Sequence, residues 1–275
     1  MVWGILLMRR RRGNLKKTIR NTILTLSCIT FLVMTGIFAI ELLKEHRSTS
    51  NMRKVQAMAA VSVSNSKTVM EEKSKSSEEQ ITNLVSLKIE YLYKKNRDLS
   101  GWLRINGSEI DYPIMYKEGD NDFYLQHDFF GNEDRNGLLV LDKRCSFDMS
   151  DNHLLIHGHN MKSGALFGTL KYYKEDDYLR KHQAIELDTP SEQRFYEIIA
   201  VVDTTANGEK NGFNYADYIN IGDEESFDKY VANLKARSMH KIAATATYGD
   251  QLLTLSTCDY TMKNGRLLVV AKRVG

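Results

Sequence analysis

Apolar and polar positions change their rhythm several times along this chain. Asn21 to Ile40 is one uncharged, mostly apolar run. Residues 44–77 are polar and serine-rich (Ser48, Ser50, Ser62, Ser64, Ser66, Ser74, Ser76, Ser77), a pattern that predicts a stalk or frayed helix. Ser76 and Glu79 have capping-box spacing, and Ile81, Leu84, Val85, Lys88 and Leu92 repeat with a helical period. A helix to about Lys95 is therefore expected, with the folded domain occupying 78–275. Beyond it the period shortens to that of strands. WLRI, DYPIMY and GLLVLD are separated by turns at Asn106-Gly107, Glu118-Gly119-Asp120 and Asn136-Gly137. HLLIH (153–157), QAIEL (183–187), RFYEIIAVVD (194–203), KIAATATY (241–248), QLLTLSTC (251–258) and RLLVVAKRV (266–274) continue the series. Eight or nine short strands predict a mainly β domain, a closed barrel or a sandwich. One helix interrupts them before the last two strands. Phe227, Tyr230, Val231 and Leu234 repeat at helical spacing behind Asp223, a residue suited to the N-cap.

Charge sharpens the reading of the first run. The chain has 275 residues and a formal net charge of +3, but its basic excess lies at the start. Residues 1–20 hold Arg9, Arg10, Arg11, Arg12, Lys16, Lys17 and Arg20 with no acid. The body is slightly acidic, which argues against a nucleic-acid binder. Twenty helical residues span about 30 Å, the thickness of a bilayer's hydrocarbon layer. Residues 21–43 thus read as a transmembrane signal anchor, with the basic segment 1–20 cytoplasmic and the bulk of the chain outside. The competing reading is a cleaved signal peptide, whose apolar region is usually only about 7–15 residues long and ends at a small-x-small site. The nearest such site here, Ala57-Met58-Ala59, lies well past the apolar run.

Candidate chemistry sits in two stretches. TLSTCDY (254–260) is a β-branched strand that stops at Cys258 and turns acidic. If 251–258 and 266–274 form a hairpin, Cys258 and Arg266 share one end of it. A guanidinium there favours the thiolate and can hold a carbonyl oxygen as charge develops on it. HLLIHGHNMKSGALF (153–167) places His157 and His159 two residues apart, on one face of a strand. A zinc site needs three or four ligands in tetrahedral array, and no Cys-x-x-Cys, His-Glu-x-x-His or acidic partner completes such a set. A thiol nucleophile needs an acid/base partner, which one of these histidines can be. His159, followed by Asn160 and a loop-like segment, belongs at the strand's rim; His157 belongs one pair deeper. His153 and His182 read as satisfied, noncatalytic histidines. Cys28 lies in the anchor, and Cys145 and Cys258 are the only pair able to form an external disulfide. Two cysteines make no disulfide framework, and both read as free thiols.

These stretches resemble the sortases. TLSTC with an arginine eight residues on, and GHN opening a Met-x-x-Gly-x-x-Phe segment, are similar to that family over roughly residues 85–275. Gly101-Trp102-Leu103, IDYPIM, the segment NDFYLQHDFFGN (121–132) and the helix at 223–237 resemble class B in particular. The resemblance implies an eight-stranded barrel with a groove holding Cys258 as nucleophile, His159 as catalytic histidine and Arg266 as the arginine. It implies that Asn121, Leu125 and Ser256 line the sorting-signal pocket, and that neither metal nor organic cofactor is used. The family often has tyrosine where this chain has His157.

The implied activity is cysteine transpeptidation. A surface protein with a sorting signal like Asn-Pro-x-Thr-Asn/Gly would be cut after Thr and joined to an amine of a lipid-linked peptidoglycan precursor, at the cell membrane of a Gram-positive-type cell. Pilin polymerisation through a lysine, and an extracellular cysteine protease using the same Cys and His, are the alternatives.

Overall fold

The structure, a computed structural model, describes residues 2–70, 77–206, 208 and 213–275. The chain divides into two compact units, Met1–Thr49 and Ser50–Gly275. Helix α1, Val2–Met70, carries the apolar run. Its stretch Ile19–Val61 contains a window long and apolar enough to cross a bilayer, with none of that window buried. Ile23, Leu24, Phe31, Leu32 and Phe38 all stand exposed, an arrangement that suits a lipid surround.

The second unit begins earlier than the sequence suggests. Val55 and Ala59, inside the expected stalk, are buried, with Met52 and Met58 packed alongside. Their three- and four-residue spacing gives α1 an apolar stripe too sparse to stand out among serines. Ser76, the expected cap, lies outside the described residues. Helix α2 runs Ser77–Tyr93. It packs on the first and fifth strands, burying Val85, Ile89 and Leu92. Lys88 shares that buried face because Asp188 meets it in an ion pair, with Gln193 donating to the same carboxylate at 2.9 Å. A buried cation is tolerated when it is paired and hydrogen-bonded in this way.

Eight strands follow: β1 Leu99–Arg104, β2 Asp111–Met115, β3 Leu139–Leu141, β4 His153–His157, β5 Ala184–Asp188, β6 Gln193–Thr205, β7 Leu252–Asp259 and β8 Gly265–Arg273. They close into a barrel of order β1-β2-β3-β4-β7-β8-β6-β5. Two pairings, β2 with β3 and β4 with β7, are parallel; the rest are antiparallel. Closure leaves no sheet edge to protect. A short helix α3, Asp176–Lys181, precedes β5. Helix α4, Glu224–Arg237, packs on β6 and buries Phe227, Tyr230, Val231 and Leu234. Asp223 caps it by accepting from the Ser226 N–H at 2.8 Å.

KIAATATY (241–248) is not a strand, which corrects the sequence reading. The barrel is already closed, so no partner edge remains for it. Its carbonyls find another donor: the Lys235 ammonium reaches those of Ile242 and Ala244, and Ile199 on β6.

His153 is wholly buried, and both ring nitrogens are engaged. A carbonyl can only accept, so Nδ1–H donates to Tyr218 O at 2.8 Å and Nε2 accepts from the Thr254 hydroxyl at 2.8 Å. Burial pulls its pKa down from 6.5 to about 4. The unfolded chain therefore binds a proton between those values that the folded one does not. Stability is complete above about pH 6.5 and falls on acidification toward 4, by about 3 kcal/mol from this group. Denaturant unfolding at pH 7 and pH 4.5 should show this loss, and the slope should flatten in His153→Gln.

Candidate active site

The parallel pairing of β4 with β7 sets the site. Its last register pair is His157 with Ser256. Three bonds carry the alignment further: Gly158 N–H donates to Ser256 O at 3.2 Å, Thr257 Oγ1 donates to Gly158 O at 2.7 Å, and Asn160 Nδ2 donates to Cys258 O at 2.9 Å. His159 and Cys258 therefore leave neighbouring strands at the same end of the barrel. In the β7–β8 hairpin, Cys258 is the direct register partner of Arg266. Cys258 is partly exposed and its thiol is free. Arg266 Nη1 donates to Gly265 O at 2.9 Å. Gly158 is required for the close fit of this strand end: a Cβ there would lie 2.6 Å from Leu139 Cδ2 and 2.7 Å from Phe167 Cδ2.

His159 is held from the other side. Its Nε2 lies 2.8 Å from Leu125 O, so Nε2 carries the proton and Nδ1 is left for exchange. The Leu125 carbonyl is itself fixed by the turn opposite. Gly137 has φ +59°, and a Cβ on it would sit 2.3 Å from Leu125 O. Phe167 N–H donates to His159 O at 3.1 Å, which pins the backbone of His159.

His157 serves a different partner. Its Nε2 lies 2.8 Å from Oδ2 of Asp142, whose side chain is 1% exposed. Arg144 holds both oxygens of that carboxylate, Nε at 2.7 Å and Nη2 at 2.8 Å. Asn121 Nδ2 approaches it at 3.3 Å, while Asn121 Oδ1 accepts from Lys143 N–H at 2.6 Å. Burial works to raise the Asp142 pKa, but the bonds from Arg144 and His157 outweigh it and hold the carboxyl well below its usual range. The two neighbouring histidines thus have separate tasks, a split that strand parity alone could not reveal. Among the described residues, no cluster of three or more His, Cys, Asp or Glu side chains is placed to hold a metal. Cys145 is buried, donates to His153 O at 3.9 Å, and has its pKa pushed up to about 12 by burial. A thiol that stays protonated is a poor nucleophile.

The residues matched to the pocket are placed less directly. Leu125 offers its carbonyl to His159, and Asn121 uses both ends of its amide to tie its loop to Asp142 and Lys143 just past β3. Ser256 is 2% exposed, with its hydroxyl 2.9 Å from that of Tyr215.

One group escaped the sequence reading. Lys174 bridges Asp203 Oδ2 at 3.0 Å and Asp259 Oδ2 at 2.5 Å, so the residue following Cys258 is tied to β6 and to the connection after β4. Burial raises Asp203 above the usual carboxylate value. Burial also opposes ionisation of Asp259, but bonds from Lys174 and Thr261 hold it well below. Nothing in the local sequence of Lys174 marks it, because its partners lie 29 and 85 residues away.

Cys258 is paired with Arg266 across a hairpin, and His159 leaves the neighbouring strand at the same end of a closed eight-stranded barrel, an arrangement suited to a thiol acyl-transfer enzyme. A family model described as "Sortase domain" matches residues 103–274. Sortase B of Listeria monocytogenes is 33% identical over 185 residues, covering 66% of this chain and 72% of that one. Sortase B of Staphylococcus aureus is 26% identical over 185 residues, 66% of this chain and 73% of that one. The crystal structure of sortase B from Bacillus anthracis in complex with AAEK1 superposes with a TM-score of 0.68 at 27% identity, covering 85% of this chain and 99% of that one. The chain belongs to the sortase family, and its activity is that of a sortase B-type cysteine transpeptidase.

The Asp142 cluster yields a stability test. Asp142→Asn removes the charge that Arg144 and His157 share and should cost about 2 kcal/mol at pH 7. A depressed carboxylate contributes its stability above its unfolded pKa and loses it as pH falls toward the folded value. The gap between wild type and variant should therefore narrow from about pH 4 downward. Parallel denaturant titrations at pH 7 and pH 3 check this.

Proposed function

We propose that the chain anchors surface proteins to the cell wall by acyl transfer through Cys258. The observation that carries this reading is the register that sets Cys258 opposite Arg266 and beside the strand end bearing His159. The Cys258 thiolate attacks the carbonyl carbon of threonine in a sorting signal resembling Asn-Pro-x-Thr-Asn/Gly. His159 in its acid form gives a proton to the leaving amine as the C–N bond breaks, leaving a thioester. An amine of a lipid-linked peptidoglycan precursor then attacks the thioester. His159 takes up the amine's proton, and the thiolate departs. With Nε2–H held by Leu125 O, Nδ1 is the nitrogen that exchanges the proton. Arg266 orients the peptide and stabilises the oxyanion. Asn121, Leu125 and Ser256 are the proposed pocket positions, Ser256 acting through the Tyr215 hydroxyl that it supports.

The anchor suits this task. With residues 21–43 in the membrane, 1–20 cytoplasmic and the catalytic domain outside, enzyme, tethered substrate and lipid-linked acceptor share one surface. Tethering raises their effective concentration.

Mass analysis of products with and without an amine acceptor tests the reading. Amide-linked product that depends on the acceptor is expected; hydrolysis alone, unchanged by acceptor, would mark a protease, and a lysine-linked pilin product a polymerase.

Arg266→Lys keeps charge but loses the planar fork of donors. It should lose roughly 10²-fold in kcat/KM, comparable to one lost oxyanion donor. A folded lysine variant with near-normal kcat/KM would leave Arg266 a general electrostatic role only.

A further inference from the structure

The loop between β2 and β3 holds the Leu125 carbonyl, yet it has almost no regular structure of its own. Among the described residues, a single isolated bridge, His127 with Glu133, is its only ladder contact. Backbone turn bonds and buried side chains order it together. Tyr124, Phe129 and Leu138 are buried in an apolar cluster on the outside of the barrel, together with Trp102, Ile89 and Leu92. Val55 (0% exposed) and Ala59 (6%), from the part of α1 next to the membrane-spanning stretch, complete that cluster.

Two polar bonds fix the same segment of α1. Asn51 Nδ2 donates to Asp128 Oδ2 at 2.8 Å, and Gln56 Nε2 donates to Asp111 O at 2.9 Å. Asp128 is 4% exposed and organises the loop's tight turn. Its Oδ1 accepts from the N–H groups of Phe130 and Asn132, both at 2.9 Å, and Asn132 Nδ2 reaches both of its oxygens at 3.1 Å. The Asn51 bond therefore ends on the residue around which the loop folds. Leu138 N–H donates to Tyr124 O at 2.7 Å and joins the apolar cluster to the peptide beside Leu125.

We infer that residues 51–59 of α1 are a brace that positions His159, acting through the 121–138 loop and the Leu125 carbonyl. This rests on the assignment of His159 as the proton carrier. Asn51, Val55 and Gln56 touch neither the thiol nor a bound peptide; they are positioning residues. Loss of the brace loosens Leu125 O, and with it the orientation of the His159 ring. The helix that carries the anchor thereby also completes the catalytic domain, and a stalk that merely spaces the domain from the membrane is not what this segment is.

The test uses the full-length protein in detergent, with a sorting-signal peptide and an amine acceptor. The variants are Asn51→Ala/Gln56→Ala and Val55→Asp, with Lys54→Glu, on the exposed face of the same turn, as control. Both brace variants should lose at least fivefold in kcat and shift the pH profile of kcat/KM, with Tm still above the assay temperature; Lys54→Glu should match wild type. Val55→Ile should retain activity. Wild-type kcat and pH profile in both brace variants would overturn the brace. So would a loss that follows only the unfolded fraction, with the pH profile unmoved. Inactivity of the wild-type protein itself, or activity surviving in His159→Ala, would instead overturn the catalytic assignment.

Discussion

The parallel ladder between β4 and β7 is the constraint on which the site depends. Parallel neighbours end at the same edge of a sheet, so residues just past their C-terminal ends emerge together. His159 and Cys258 are 99 residues apart, and this ladder is what makes them neighbours. Parallel pairing needs a long crossover, and here the connection holds β5, β6 and α4. The segment between β4 and β7 is thus the path that lets the two strands lie side by side. The antiparallel β7–β8 hairpin then adds Arg266 from the next strand at no topological cost.

Around that ladder, the two chemical ends are held by different physics. Behind Cys258 the restraint is ionic: Lys174 clamps Asp259 and Asp203 where the hairpin leaves β7. Behind His159 it is steric and apolar: a glycine that lets a turn press on Leu125 O, and a cluster in which helix and loop bury each other. Between them, Asp142 gathers Arg144, His157 and Asn121 at the end of β3. A network of that kind is costly to leave half-satisfied, which makes it a fixed wall.

Much of this was legible in the sequence because it is local. Short apolar runs between turn residues mark all eight strands, the Phe227–Leu234 spacing marks the buried face of α4, and a hairpin at 251–274 is enough to bring Cys258 and Arg266 together. What stayed hidden depends on partners far along the chain. KIAATATY has strand-like composition, and only closure of the barrel denies it an edge. Val55 and Ala59 look like incidental apolar residues in a serine-rich stalk until Trp102 and Phe129 are seen beside them in one cluster. His157 and His159 share a parity, but Asp142 and Leu125 separate their functions. Ser256 sits on the expected strand, yet its hydroxyl turns to Tyr215, a contact across 41 residues that no spacing rule anticipates.

The central claim is that acyl transfer passes through the thiol that this register presents. Trapping the acyl-enzyme tests it most directly. Incubation of the wild-type protein and of Cys145→Ala with a sorting-signal peptide, followed by digestion and mass spectrometry, should locate a hydroxylamine-labile thioester on Cys258 in both. An adduct on Cys145, or one that persists in Cys258→Ala, would contradict the account.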